Sequence, residues 1–157
     1  MLEQFLTEAL QYVFATDSLE SSHPISIEVD NPDEIGEIFD SISYSKGASI
    51  IRMMNYYLTE DTFRQGLTNY LNAFSYSSAS QDDLWLYLTE QAHADGTLDA
   101  DLTVKDIMDT WTLQMGYPVI TVTRNDDGTA LVTQERFLLI QSENSQQTPM
   151  IMFGGFP

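Results

Sequence analysis

Apolar residues recur every three or four positions along most of the chain, and near its end the pattern changes to an alternating one. Leu2, Phe5, Leu6, Ala9 and Val13 fall at helical spacing, so the chain is expected to open with a helix. The polar stretch "TDSLESSHPISIEVDN" follows, and Pro24 forbids the helix from continuing through it. Asn31 then has the character of an N-cap, with Pro32 at the first helical position, acids behind it, and Ile35, Ile38 and Phe39 as the apolar face of a short helix. After "SISYSKG", Ile50, Ile51, Met53, Met54, Tyr57 and Leu58 form a wide apolar stripe that reads as core. Thr59 is the expected cap of the next helix, with Phe63, Leu67, Leu71 and Phe74 along one side.

Two further helices announce themselves by their first turns. Ser80 with Asp83, and Thr103 with Asp106, have the spacing of a capping box, in which hydroxyl and carboxylate satisfy each other's backbone N–H. The first leads into Leu84, Trp85 and Leu88, the second into Val104, Ile107, Met108 and Trp111. Gly116 is the expected end of the last helix and Pro118 its stop. The period then shifts: "PVITVTR" is β-branched, "NDDG" is a turn, and "TALVTQERFLLI" is a second extended run. Two strands do not make a stable sheet alone. The predicted class is therefore mostly α, with residues 1–116 a helical array and 117–157 the incomplete beginning of a β domain.

Charge narrows the partners. The net charge of −18, from 24 acidic and 6 basic residues, repels nucleic-acid phosphates and anionic membranes. The absence of cysteine excludes disulfides, thiolate zinc sites and cysteine nucleophiles. The opening segment lacks a basic n-region and is not expected to be a signal peptide, and no apolar run is long enough to span a membrane.

The familiar phosphate-loop, dinucleotide and nucleophile-elbow motifs are all missing. So is H-E-x-x-H; His23 precedes Pro24 and reads as a structural brace, and His93 reads as a helix-terminus histidine. The acids cluster at helix starts and turns, where carboxylates bond free N–H groups. "DGTLDAD" lacks the spacing of a calcium loop.

Several separated words, however, point in one direction. "SSHPI", "NPDEIGEIFDSISYSKGASIIRMM", "DLW", "IMDTWTLQMGYPVITV" and "QERF" together resemble the zinc aminopeptidases of the aminopeptidase N type, in animal and insect-like form, from about residue 15 to 138. The resemblance implies the second, helical half of a thermolysin-like catalytic domain, followed by the first hairpin of a β-sandwich domain. It implies that Tyr44, in the motif I-S-Y-x-K-G-A, stabilises the tetrahedral intermediate of peptide hydrolysis. It implies that Phe39, five positions earlier, lines the pocket for the substrate's first side chain. A phenol O–H can donate to an oxyanion, and one such donor is worth about 3 kcal/mol in the transition state.

The family's zinc ligands and its G-x-M-E-N motif fall upstream of this region, so no metal ligand is assigned to the chain. Zinc is a cofactor of the parent family, and this chain by itself is expected to bind none and to be inactive. A peptide would be the substrate of the complete enzyme, and exposed helical faces would favour self-association. An alternative is a non-catalytic, acidic helical interaction module derived from such an enzyme. The resemblance implies a secreted or membrane-anchored extracellular setting, although the chain carries no address of its own. The tail "PMIMFGGFP" departs from the family's pattern.

Overall fold

The computed structural model describes residues 2–29 and 31–140. The expectations for the tail fall outside the described residues. Helices fill most of the described residues and an antiparallel pair of strands follows them, as the change of period predicts. The order is α1 Leu2–Gln4, a π-helical turn Phe5–Leu10, α2 Gln11–Asp17, a 3-10 helix Pro32–Ile38, a second π turn Ile42–Lys46, α3 Gly47–Leu58, α4 Glu60–Ala73, α5 Gln81–Asp95 and α6 Val104–Thr112. Strands β1 Pro118–Arg124 and β2 Ala130–Arg136 follow. No described helix is long and apolar enough to cross a membrane.

The chain forms two compact units, one built from the segment up to Gly47 together with the segment from Thr112 onward, the other from Ala48–Trp111. In the second unit Ile50, Met54, Leu58, Trp85, Leu88, Ala92, Val104, Ile107 and Met108 are buried, so most of this core comes from the expected apolar positions, whereas Ile51, expected in the stripe, is exposed. Helices α4 and α5 run antiparallel. Thr62 Oγ1 donates to Asp95 Oδ2 at 2.8 Å, Asn69 Nδ2 to Gln91 Oε1 at 3.1 Å, and Tyr70 meets Tyr87 edge-on. Gly66 lets them approach, since a Cβ there would stand 2.9 Å from Leu88 Cδ2 and 3.3 Å from Leu88 Cα. Both capping boxes form. Ser80 and Asp83 satisfy each other, and Thr103 N and Oγ1 meet Asp106 Oδ2 at 2.9 and 2.6 Å.

Four local expectations are corrected. Thr59 caps no N–H with its side chain; its backbone lies at φ 71° and ψ 152°, and its hydroxyl meets Thr62 Oγ1 instead. Helix α6 ends at Thr112, earlier than Gly116, because the Gly116 N–H and C=O are engaged by side chains of the first unit. Leu71 and Ile35 are exposed; α4 buries Thr62 and Gly66, whose small size permits the close approach to α5. The opening helix contains a π turn, which shifts the period, so that Leu6 is exposed while Val13 is buried.

In the first unit, the hairpin pairs Pro118 with Arg136 through Arg124 with Ala130. Phe137 N donates to the Tyr117 carbonyl at 2.9 Å, extending the pairing by one step. The rings of Phe14, Tyr117 and Phe137 form a row, with centroids 4.5 and 5.3 Å apart. Leu139 N donates to the Ser18 carbonyl at 3.0 Å and Arg136 Nη2 to the Leu19 carbonyl at 2.8 Å, tying the hairpin to the end of α2.

Candidate functional site

Phe39 and Tyr44 come together at the surface of the first unit. Their ring centroids are 6.3 Å apart with planes inclined by 36°, and each residue keeps 63% of its surface exposed.

The support is Asp40, which lies between them in sequence. Its Oδ1 accepts the N–H groups of Ile42 at 2.9 Å and Ser43 at 3.0 Å, two donors that the start of a helical turn would otherwise leave free. Its carbonyl accepts the Tyr44 N–H at 3.1 Å. Ser43 Oγ donates to the Ile38 carbonyl. The other carboxylate oxygen of Asp40, Oδ2, lies 2.9 Å from His23 Nε2, and His23 Nδ1 lies 2.7 Å from the Pro24 carbonyl. The brace expected of His23 is thus present. His93 sits in the last turn of α5 with Nε2 2.9 Å from the Leu102 carbonyl, the helix-terminus role expected of it.

The far end of the same turn is anchored inside the unit. Lys46 is buried, with Nζ 2.9 Å from Asp17 Oδ2, 2.9 Å from the Gly116 carbonyl and 3.2 Å from that of Gln114. Asp17, also buried, accepts the Ser22 hydroxyl at 2.6 Å and the Gly116 N–H at 2.8 Å on Oδ1. Burial pulls the Lys46 ammonium below its ordinary pKa, although Asp17 works in the other direction. Gly116 is required here twice over. It adopts φ 81°, and a Cβ would fall 2.5 Å from Arg136 Nε.

Sequence reasoning singled out Tyr44 and Phe39 but not Asp40, Asp17 or Lys46, which fix the turn between them. The signal available was weak: a lone lysine two residues after the tyrosine, in a chain with 6 basic residues among 24 acids. Among the described residues no group of three or more His, Cys, Asp and Glu side chains could hold a metal ion, so the residues on view do not fit a zinc site.

Residues 1–111 match the Peptidase family M1 domain, which covers well over half of the chain. The chain belongs to peptidase family M1. The family is one of zinc-dependent metallopeptidases, hydrolases that include the aminopeptidases. The chain is 47% identical over 135 residues to aminopeptidase N of Homo sapiens, a stretch covering 84% of this chain and 14% of that protein. With aminopeptidase N of Oryctolagus cuniculus the identity is 44% over 138 residues, 86% of this chain and 14% of the relative. With glutamyl aminopeptidase of Mus musculus it is 44% over 149 residues, 95% of this chain and 14% of the relative. The chain therefore spans about one seventh of the length of these M1 relatives, and corresponds to an aminopeptidase-derived segment.

Proposed function

We propose that this chain is the tyrosine-bearing segment of a zinc aminopeptidase that removes N-terminal residues from peptides. In this reading residues 1–116 belong to the helical half of a thermolysin-like peptidase domain, and 117–157 begin a β-sandwich domain. Phe39 lines the pocket for the substrate's N-terminal side chain. Tyr44 donates its phenolic hydrogen bond to the scissile carbonyl oxygen as that oxygen gains negative charge. The donor acts most strongly when it is fixed before the charge appears, because no reorganisation is then needed during the reaction.

The observation that carries this reading is the pairing of Phe39 and Tyr44: two exposed rings on either side of Asp40, which bonds the start of the turn whose far end is held by the buried Lys46–Asp17 pair. The zinc site and the group that binds the substrate amino terminus are assigned to parts of the enzyme outside this sequence, which has no H-E-x-x-H. The isolated chain accordingly gives no peptide turnover and binds no stoichiometric zinc, and its helical faces favour self-association.

A graft tests the proposal. Human aminopeptidase N with its 135 matched residues replaced by those of this chain is expected to hydrolyse an aminoacyl-anilide, and the same graft carrying Tyr44→Phe is expected to lose that turnover while still folding. An active Tyr44→Phe graft would remove the tyrosine from the mechanism.

A further inference from the structure

The ring of His23 faces an acceptor at each nitrogen, and that arrangement selects a protonation state. Nδ1 lies 2.7 Å from the Pro24 carbonyl oxygen and Nε2 lies 2.9 Å from Asp40 Oδ2. A carbonyl and an ionised carboxylate can only accept. A neutral imidazole has one N–H, so one of the two contacts would set lone pair against lone pair. The imidazolium donates to both.

Asp40 carries this choice to the aromatic pair. Oδ2 receives the His23 ring, Oδ1 receives the Ile42 and Ser43 N–H groups, and the Asp40 carbonyl receives the Tyr44 N–H. Phe39 precedes Asp40 directly. A change in how His23 holds Oδ2 therefore acts on the residue from which both rings are hung.

We propose that His23 and Asp40 are positioning residues for Phe39 and Tyr44, and that the charged form of His23 locks the pair in its substrate-facing pose. The proposal rests on the reading of Phe39 and Tyr44 given above. The charged groups facing His23 are Asp40 on the turn and Asp17 at the end of α2, the latter already bound by Lys46. Burial works against the charged ring, but the Pro24 carbonyl, Asp40 and Asp17 outweigh it and raise the His23 pKa above the ordinary value. For Asp40, burial is likewise outweighed, by the Ser43 N–H and by His23, and its pKa falls below the ordinary carboxylate value. The signs follow by linkage. The His23 contribution is complete below the ordinary histidine value of about 6.5 and is lost as pH rises through the higher folded value. The Asp40 contribution is present above the ordinary carboxylate value and is lost as pH falls through the lower folded one. The pose is held between these limits, loosening on the alkaline side as His23 loses its proton and on the acid side as Asp40 gains one.

An NMR titration of the full chain tests this. The His23 imidazole is expected to titrate above about 6.5, with both nitrogens protonated below its midpoint. The Tyr44 amide and the Phe39 ring signals are expected to shift with that same midpoint. Asp40→Asn should lower the His23 midpoint. His23→Gln, which keeps a neutral donor, should abolish the pH step at Tyr44 and Phe39, and His93→Gln should leave it unchanged. An imidazole that titrates at or below the ordinary value, as an unbraced or unfolded segment would give, overturns the proposal. So do Tyr44 and Phe39 signals that ignore the His23 transition. The graft separates the two claims. A coupled titration with a fully active Tyr44→Phe graft keeps the brace and removes the catalytic reading. An uncoupled titration with an inactive graft removes the brace alone.

Discussion

A lysine ammonium taken out of water needs a partner for each of its three protons, and Lys46 has three: Asp17, Gly116 and Gln114. Removing one member of such a buried pair is far more harmful than the net worth of the pair, because the survivor stays buried without its counter-charge. Lys46→Met is expected to destabilise the chain by about 3–5 kcal/mol in urea unfolding, with Asp17→Leu/Lys46→Met losing less than the two single changes summed. A loss under about 1 kcal/mol for Lys46→Met would contradict the anchoring role. Neither residue was legible as a partner of the other. Asp17 also bonds Gly116, ninety-nine positions away, and no spacing rule connects residues so distant. Tyr44 and Phe39, by contrast, were singled out through a resemblance carried by short local words, and their rings do lie side by side.

At the level of elements, what the sequence reveals depends on how local the cause is. The boxes at Ser80 and Thr103 satisfy N–H groups within their own first turns, so three-residue spacing is enough to find them. Thr59 has the right residue type in the right place, yet the abrupt junction between α3 and α4 sets its backbone at φ 71° and aims the hydroxyl away. Gly66 is invisible for the opposite reason, since its value lies wholly in what α5 brings against it. Ala is a better helix former than Gly by roughly 0.5–1 kcal/mol, which by itself favours Gly66→Ala. Leu88, however, is fully buried and cannot yield easily, and its Cα as well as its side chain meets the new methyl. Overpacking of this kind costs about 1–3 kcal/mol, so the substitution is expected to lower the melting temperature. An unchanged or higher melting temperature would show that α4 and α5 can separate freely.

For the molecule as a whole, the charge of −18 is the dominant long-range term. Like charges that are crowded by folding repel, and salt shortens the range of that repulsion from about 30 Å at 0.01 M to about 8 Å at 0.15 M. Ion pairs at the surface, such as Arg64 with Asp61 and Lys105 with Asp82, contribute little that salt could remove. Thermal stability is therefore expected to rise over that range of sodium chloride, and a fall would mean that local pairs outweigh the net charge. The match to peptidase family M1 supports the proposal that this acidic chain is one segment of a larger zinc aminopeptidase. The test of that proposal is kinetic: kcat and KM of the aminopeptidase N graft with and without the Tyr44 hydroxyl. A donor used only in the transition state predicts a fall in kcat of about 100- to 1,000-fold for Tyr44→Phe, with KM nearly constant. A kcat within about twofold of the unmodified graft would contradict the account.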